Sequence, residues 1–432
     1  MSEVDRQLDR TLTDISYRTR KGEVHEHLES LELLFAENEP LVQAFVPEKG
    51  RFARLHREAE ALLTEYPDSN LRPYLFGVPI GIKDVFHVEG LPTTAGSRLP
   101  PEVLQGREGA AVSSLRRKGA LFLGKTVSTE FAYFAPGPTR NPQHVDHTPG
   151  GSSSGSAAAV AAGLCPVALG TQTIGSVIRP AAYCGVIGFK PSFGRITADG
   201  FIPLAPSLDH VGLFTTDVES VSVACMMLCD DWFPGVPFGW PVLGVPEGPY
   251  LENMSEEGLA QFRETCDWLS SRFRIKQVPV MADFATIAER HLRLTAAEAA
   301  EVHAPWFAAH RHLYAPQTIE LIERGQKVSA TQARNDRSGR ARLRKQLTEA
   351  MEKHGVDLWI SPSAPGPAPH GLASTGNPVM NIPWTQAGLP TLTVPAGENK
   401  DGLPYGLQIS GGFWTDPDLI EWSKEIARVA VL

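Results

Sequence analysis

The chain of 432 residues has few cysteines, no long apolar run and no surplus of positive charge, and each shortage excludes something. Its five cysteines, Cys165, Cys184, Cys225, Cys229 and Cys266, form no CxxC pair and no metal-ligand spacing. An odd, scattered set fits reduced thiols in a cytoplasm and not a disulfide framework. The longest weakly polar run, Ser156 to Gly170, is too short and too rich in Ala and Gly to span a bilayer. Nor does the start, Met1 to Arg6, lead into an apolar segment of the secretory kind. With 40 Lys and Arg against 49 Asp and Glu, the net charge of −9 offers no general attraction to nucleic acid or to an anionic membrane. The basic stretch Arg334 to Lys345 reads as the solvated face of a helix.

What remains is an ordinary globular composition, 42% hydrophobic and 21% charged, able to bury a sizeable core. There is no low-complexity linker and no fixed-period repeat. The first 70 residues read as helical, since Leu28, Leu31, Leu34 and Phe35, then Phe52, Leu55, Ala59 and Leu62, recur at helix spacing. From Leu75 short apolar runs alternate with Gly and Pro. Val78 to Phe86 and Leu121 to Gly124 are predicted strands around a helix at Ala110 to Arg117, which argues for an α/β core. Residues 256–351 are mostly helical again, with helices predicted at Gln261 to Arg272 and Phe284 to His303. Strands follow at Asp357 to Pro362, Leu389 to Val394 and Tyr405 to Ser410, then a helix from Leu419 to Val429. Strand material on both sides of a helical insert implies one sheet built from distant segments. We therefore expect a single large α/β domain over residues 1–432.

Three local patterns suggest chemistry. Gly119 to Thr126 matches the phosphate-binding pattern GxxxxGK[ST], but a predicted helix precedes it and its middle, Ala120-Leu121-Phe122-Leu123, is itself strand-like, so a nucleotide site is not expected. Gly151-Ser152-Ser153-Ser154-Gly155 matches the GxSxG nucleophile elbow, yet the polar, Pro-bounded loop Asn141 to Pro149 stands where that motif requires a strand. The third pattern joins Lys83, set in the mostly apolar run Val78 to Val85, with two glycine-flanked serine sites, Ser152 to Ser154 and Ser176. A charged ammonium in an apolar strand is costly; burial lowers a lysine's pKa and leaves an amine able to accept a proton from a neighbouring hydroxyl. Two serines and a lysine can thus supply nucleophile, relay and base without histidine.

These residues resemble the amidase signature family. The run Pro149 to Gly163 carries the likeness, extended by Gly170-Thr171-Gln172-Thr173, Cys184 to Pro191, Ser207-Leu208-Asp209 and Val211-Gly212. A weaker echo follows at Asn381-Ile382-Pro383, Gly388-Leu389-Pro390 and Leu403 to Gln408. The resemblance implies a large mixed β-sheet covered by helices, with no metal and no organic cofactor. It also implies hydrolysis of a small-molecule amide, with Ser176 as nucleophile, Ser152 as the cis-peptide relay and Lys83 as base. The backbone N–H groups of Thr173, Ile174, Gly175 and Ser176 would form the oxyanion hole. Two departures stand out: Gln172 where the family often has Asp, and Ile174 where it often has Gly. A β-branched residue tolerates positive φ poorly, so Ile174 implies either negative φ or an altered hole.

The family also includes the amidase-like subunit of a glutamine-dependent tRNA amidotransferase, and a non-catalytic binding member is conceivable. The acidic balance and short C-terminus favour a free-standing hydrolase, a monomer or homo-oligomer in the cytoplasm. Its substrate can be an amide, anilide, aryl ester or carbamate. Pocket walls are expected from Phe131 to His147 and from the helices between Phe284 and Gly339. Phe131, Tyr133, Phe134, Trp306 and Phe307 hint at an apolar or aryl group.

Overall fold

The computed structural model describes residues 11–229 and 231–430; the N-terminal Met1 to Arg6 stretch lies outside them. Among the described residues ten strands form one sheet: β1 Pro79–Lys83, β2 Leu121–Thr126, β3 Val167–Gln172, β4 Ile187–Lys190, β5 His210–Thr215, β6 Val242–Glu247, β7 Arg274–Pro279, β8 Leu358–Pro362, β9 Thr391–Glu398 and β10 Pro404–Ser410. Their order is β2-β1-β3-β5-β4-β9-β10-β8-β6-β7. Both flanks are parallel, β2-β1-β3 on one side and β8-β6-β7 on the other. The centre, from β3 through β5, β4, β9 and β10 to β8, is antiparallel. The single mixed-sheet α/β domain expected from the sequence is what the chain forms.

Local chemistry explains the helices around the sheet. Thr11 accepts the Asp14 N–H at the start of Leu12–Lys21, and Gly22, at φ 113°, ends it in the left-handed region that favours glycine. Helices Val24–Val42 and Arg51–Glu65 complete the helical N-terminal segment. The predicted helix at Ala110–Arg117 is present with those bounds, as are longer helices at Glu256–Ser270, Phe284–His310 and Asp416–Ala430. Within 256–351 the mostly helical reading holds, with Pro316–Gly325 and Ala330–His354 added, except that β7 interrupts it.

The small-residue segment becomes helix Ser154–Ala161, whose residues Ser154 to Val160 are all buried. It packs on β1, β2 and β3. A Cβ on Gly155 would collide with the Ala44 carbonyl and the Val127 amide. Only small side chains let this helix approach the sheet so closely. That approach fixes the Gly151-Ser152 turn, just ahead of the helix, above the carboxyl ends of β1 and β3.

Candidate active site

Lys83 is the last residue of β1, and Thr171 is next to last in β3, its parallel neighbour. Parallel pairing brings both carboxyl ends to one edge of the sheet, the usual place for sites in such sheets. Lys83 is fully buried there. Its Nζ lies 2.8 Å from Ser152 Oγ and 2.8 Å from Thr171 Oγ1. Burial holds its pKa well below the ordinary lysine range, and the Asp209 charge acts the other way. The neighbouring Asp84 faces elsewhere: it pairs with Lys125 at 2.8 Å and accepts from Thr94. The carboxylate felt by Lys83 is therefore Asp209, a part that the sequence pattern does not assign to it.

The Gly151–Ser152 peptide bond is cis. Ser153, the centre of the elbow match, is fully buried and turned into the fold, where its Oγ donates to the Thr171 carbonyl at 3.2 Å. The elbow geometry is absent. The phosphate-loop match is equally structural: Gly124, Lys125 and Thr126 lie within buried β2.

After β3 the chain turns through Thr173 to Ser176 before helix Ile178–Cys184. Four neighbours hold this turn. The Gln172 side-chain oxygen accepts the amides of Val177 at 2.8 Å and Ile178 at 3.0 Å. Its nitrogen donates to Thr385 Oγ1 at 2.9 Å, and that hydroxyl donates to the Ile174 carbonyl at 2.7 Å. Thr173 Oγ1 donates to Asp209 at 2.5 Å, while the Thr173 carbonyl accepts from His291 Nε2 at 2.9 Å. A Cβ on Gly175 would collide with Asn381 Oδ1, so only glycine fits there.

Held in this way, the amides of Thr173, Ile174, Gly175 and Ser176 donate no hydrogen bond within the protein among the described residues. Ile174 is not among the residues with positive φ. Of the two outcomes its β-branch allowed, negative φ is the one adopted. The amide side chain of Gln172 does the accepting that a carboxylate could do, with a donor to spare. Ser176 is 8% exposed, unlike fully buried Ser153, and its hydroxyl bonds no protein group among the described residues.

Asp209 is buried, which pushes its carboxyl up to about 6 against the hydrogen bonds from Thr173, Ala205 and Leu204. His291 is neutral at physiological pH, burial having lowered its pKa to about 3. An open cavity of about 450 Å³ adjoins the turns, lined by Phe134, Gln317 and the segment 373–378. Thr375 and Pro378 of that wall lie where Cβ atoms on Gly151 and Gly175 would be, 2.8 and 2.9 Å away. Phe134 and Gln317 belong to segments expected to form the wall; the 373–378 stretch was not foreseen. Phe131 belongs to the core instead, fully buried and stacked on Tyr314 and Trp306.

Sequence pattern and the family resemblance single out Lys83, Ser152 and Ser176 as candidates, but assign no role to Thr171, Asp209, Arg179, Asn381 or Thr385. Arg179 carries a usable signal: like Lys83, it is a charge inside an otherwise apolar run. Among the described residues no cluster of His, Cys, Asp and Glu could hold a metal ion, and no helix is long and apolar enough to cross a membrane.

Comparison with known proteins gives a consistent frame. The family model for amidases matches residues 44–234 and 250–420. A glutamyl-tRNA(Gln) amidotransferase subunit from Syntrophobacter fumaroxidans is 31% identical over 94% of this chain and 91% of its own length. The crystal structure of an amidase superposes with a TM-score of 0.87 at 30% identity, covering 97% of this chain and all (100%) of the other. The peptide amidase from Stenotrophomonas maltophilia gives 0.83 at 25% identity, over 98% and 97% of the two chains.

Proposed function

Because the chain belongs to the amidase family, we propose that it is a hydrolase of carboxylic amides working through a serine acyl-enzyme, with Ser176 as nucleophile, Ser152 as proton relay and Lys83 as base. The observation that carries this reading is a lysine buried without a carboxylate at ion-pair distance among the described residues, its Nζ 2.8 Å from Ser152 Oγ. A lysine kept neutral in this way has an acceptor lone pair at neutral pH.

In the proposed cycle Ser176 Oγ bonds to the carbonyl carbon as its proton passes to Ser152 Oγ and the Ser152 proton passes to Lys83 Nζ. The carbonyl electron pair moves onto oxygen, where the free amides of Thr173 to Ser176 receive it. In serine hydrolases generally, each such donor contributes roughly 2.7–4 kcal/mol. Collapse breaks the C–N bond while the relay returns its proton to the leaving amine. Water then attacks the ester by the same route, giving the acid and regenerating Ser176. The scheme draws on no metal or organic cofactor. Amides, anilides, aryl esters and carbamates all present the required carbonyl. The few, scattered cysteines fit a reducing cytoplasm.

A fluorophosphonate that labels wild-type protein at Ser176, together with turnover of a panel of amides, tests the reading. Absence of both would refute it. A second reading, in which the chain is the amidase-like subunit of a tRNA-dependent amidotransferase, is favoured by the 31% identity to the Syntrophobacter protein. Purification from the native source separates the two: stable partner chains with glutamine-dependent transfer favour the second, and a free active chain the first.

A further inference from the structure

We propose that the loop 232–240 is the centre of a two-fold interface between two copies of this chain. Nothing in this surface depends on the chemistry at Ser176.

The loop lies between helix Val218–Leu228 and β6. It reads Trp232-Phe233-Pro234-Gly235-Val236-Pro237-Phe238-Gly239-Trp240, nine residues without a charge. A run of this kind ordinarily goes to the core. Here it faces outward: Phe233 is 76% exposed, Val236 92% and Phe238 99%, and Trp240 is about half exposed. The Arg195 guanidinium stacks on Trp232 at 5.2 Å and on Trp414 at 4.8 Å, which sets the half-exposed Trp414 beside the loop. Other exposed apolar side chains, such as Leu71 and Val145, stand singly among polar neighbours in the sequence, which is ordinary for a surface.

The loop is held in this outward pose. A Cβ on Gly235 would lie 2.6 Å from the Pro417 carbonyl, so the backbone rests directly on the first turn of helix Asp416–Ala430. Trp422 Nε1 of that helix donates to the Gly239 carbonyl at 3.1 Å. The Trp240 ring meets the Phe273 ring edge-on at 5.7 Å, and Pro234 and Pro237 fix their own φ. A surface ordered before contact loses little freedom on association.

Area and charge single out the occupant. At these exposures Phe233, Val236, Phe238, Trp240 and Trp414 offer roughly 700 Å² of apolar surface. That exceeds the roughly 300–600 Å² of the largest patch on a typical monomer. Set against its own copy across a two-fold axis, the face buries about 1,400 Å² in total, within the roughly 1,200–2,000 Å² of a stable, specific interface. The cations at its rim carry their own acids: Arg195 pairs with Asp231 at 3.3 Å and Arg272 with Glu425 at 4.0 Å. Such a rim attracts neither nucleic acid nor anionic lipid. A second copy brings both signs and the same apolar area by symmetry. With a net charge of −9 on each chain, an uncharged ridge is also where two copies touch at least electrostatic cost.

Light scattering behind a sizing column, on the purified full-length chain at micromolar concentration, tests this. The expected particle has twice the chain mass. Phe238→Asp should raise its dissociation constant at least about 100-fold, as for a central aromatic anchor, with an unchanged far-ultraviolet circular dichroism spectrum. At 99% exposure Phe238 contributes almost nothing to the fold of one chain; should the variant still not fold, Val236→Asp is read in its place with the same expectation. Leu71→Asp, an exposed apolar-to-acid change outside the loop, should leave the dimer as tight as before. A monomeric wild type overturns the proposal, and one that also floats with phosphatidylcholine vesicles assigns the patch to a bilayer instead. A dimer unaffected by Phe238→Asp and Val236→Asp overturns it too, as does equal weakening by Leu71→Asp.

Discussion

Lys125 Nζ lies 2.8 Å from the Asp84 carboxylate, in β2 and just beyond β1 respectively. This pair consumes the only acid adjacent in sequence to Lys83, whose own side chain, pointing to the opposite face, meets hydroxyls instead. Strand alternation thus sorts two buried lysines into one that is paired with a carboxylate and one whose pKa burial lowers without such a pair.

Acylation should therefore rise with pH along one ionisation and level off below the ordinary lysine range. Lys83→Ala should lower the rate and flatten this limb, while Lys190→Ala keeps its shape. Asp209 raises the Lys83 pKa, so Asp209→Asn should move the limb to lower pH. Stopped-flow acylation between pH 5 and 10 reads all three. An unchanged, merely scaled profile in Lys83→Ala would assign the base to another group.

Ser176→Ala should abolish fluorophosphonate labelling and reduce turnover by about six orders of magnitude with the fold intact, as for nucleophiles acting within a coupled unit. Ser153→Ala removes the two hydrogen bonds between its hydroxyl and the Thr171 backbone, so its cost is about 1–2 kcal/mol of stability, with activity within about tenfold. Reversal of the two phenotypes would restore the elbow reading.

Gln172→Ala leaves the Val177 and Ile178 amides buried without an acceptor, at about 1–3 kcal/mol each. Its urea midpoint should fall clearly, and kcat should drop more than KM rises, because the turn that presents the free amides loosens. Gln172→Glu keeps both acceptor contacts but gives up the donor to Thr385, so it should be milder. Equal stability of wild type and Gln172→Ala would contradict this picture.

Acid should destabilise the fold early. Burial holds His291 at about 3 and His303 at about 4 in the native state, against about 6.5 unfolded. Between those values the unfolded chain binds more protons, so stability rises with pH and is lost as pH falls from about 6.5 toward 4. Asp209, near 6 when folded, binds more protons folded than unfolded below that pH and opposes the two histidines over a narrower window. Urea midpoints at pH 7 and pH 5 measure the balance. His303→Phe, which keeps the ring against Phe131 and Tyr314, should reduce the difference.

Chelation should leave activity unchanged, since no step proposed above draws on a metal. Loss on EDTA restored by a divalent ion would refute that scheme.

Much of the architecture was legible because buried strands such as β1 and β2 are continuous apolar runs bounded by Gly and Pro. β7 was not, because Arg274, Lys276 and Gln277 keep an edge strand polar. β4, of four residues, is too short for a periodic signal. At the site, Lys83 stood out as a charge among apolar neighbours, and Ser152 and Ser176 through their glycine surroundings. Gln172, Thr385 and Asn381 act through contacts more than 200 residues apart in the chain, which no local pattern encodes.

The middle of the sheet has a consequence for biosynthesis. β4 needs β9 as its second neighbour, yet Gly188 and Thr393 are separated by about 200 residues of chain. At about 5–20 residues per second, the growing polypeptide displays that unpaired strand edge for roughly 10–40 s before its mate leaves the ribosome. Until then the turn bearing Ser176 also lacks the props supplied by Asn381 and Thr385. Nascent chains halted before residue 391 should be captured by chaperones or aggregate, whereas the full-length product should fold with no exposed edge at that seam.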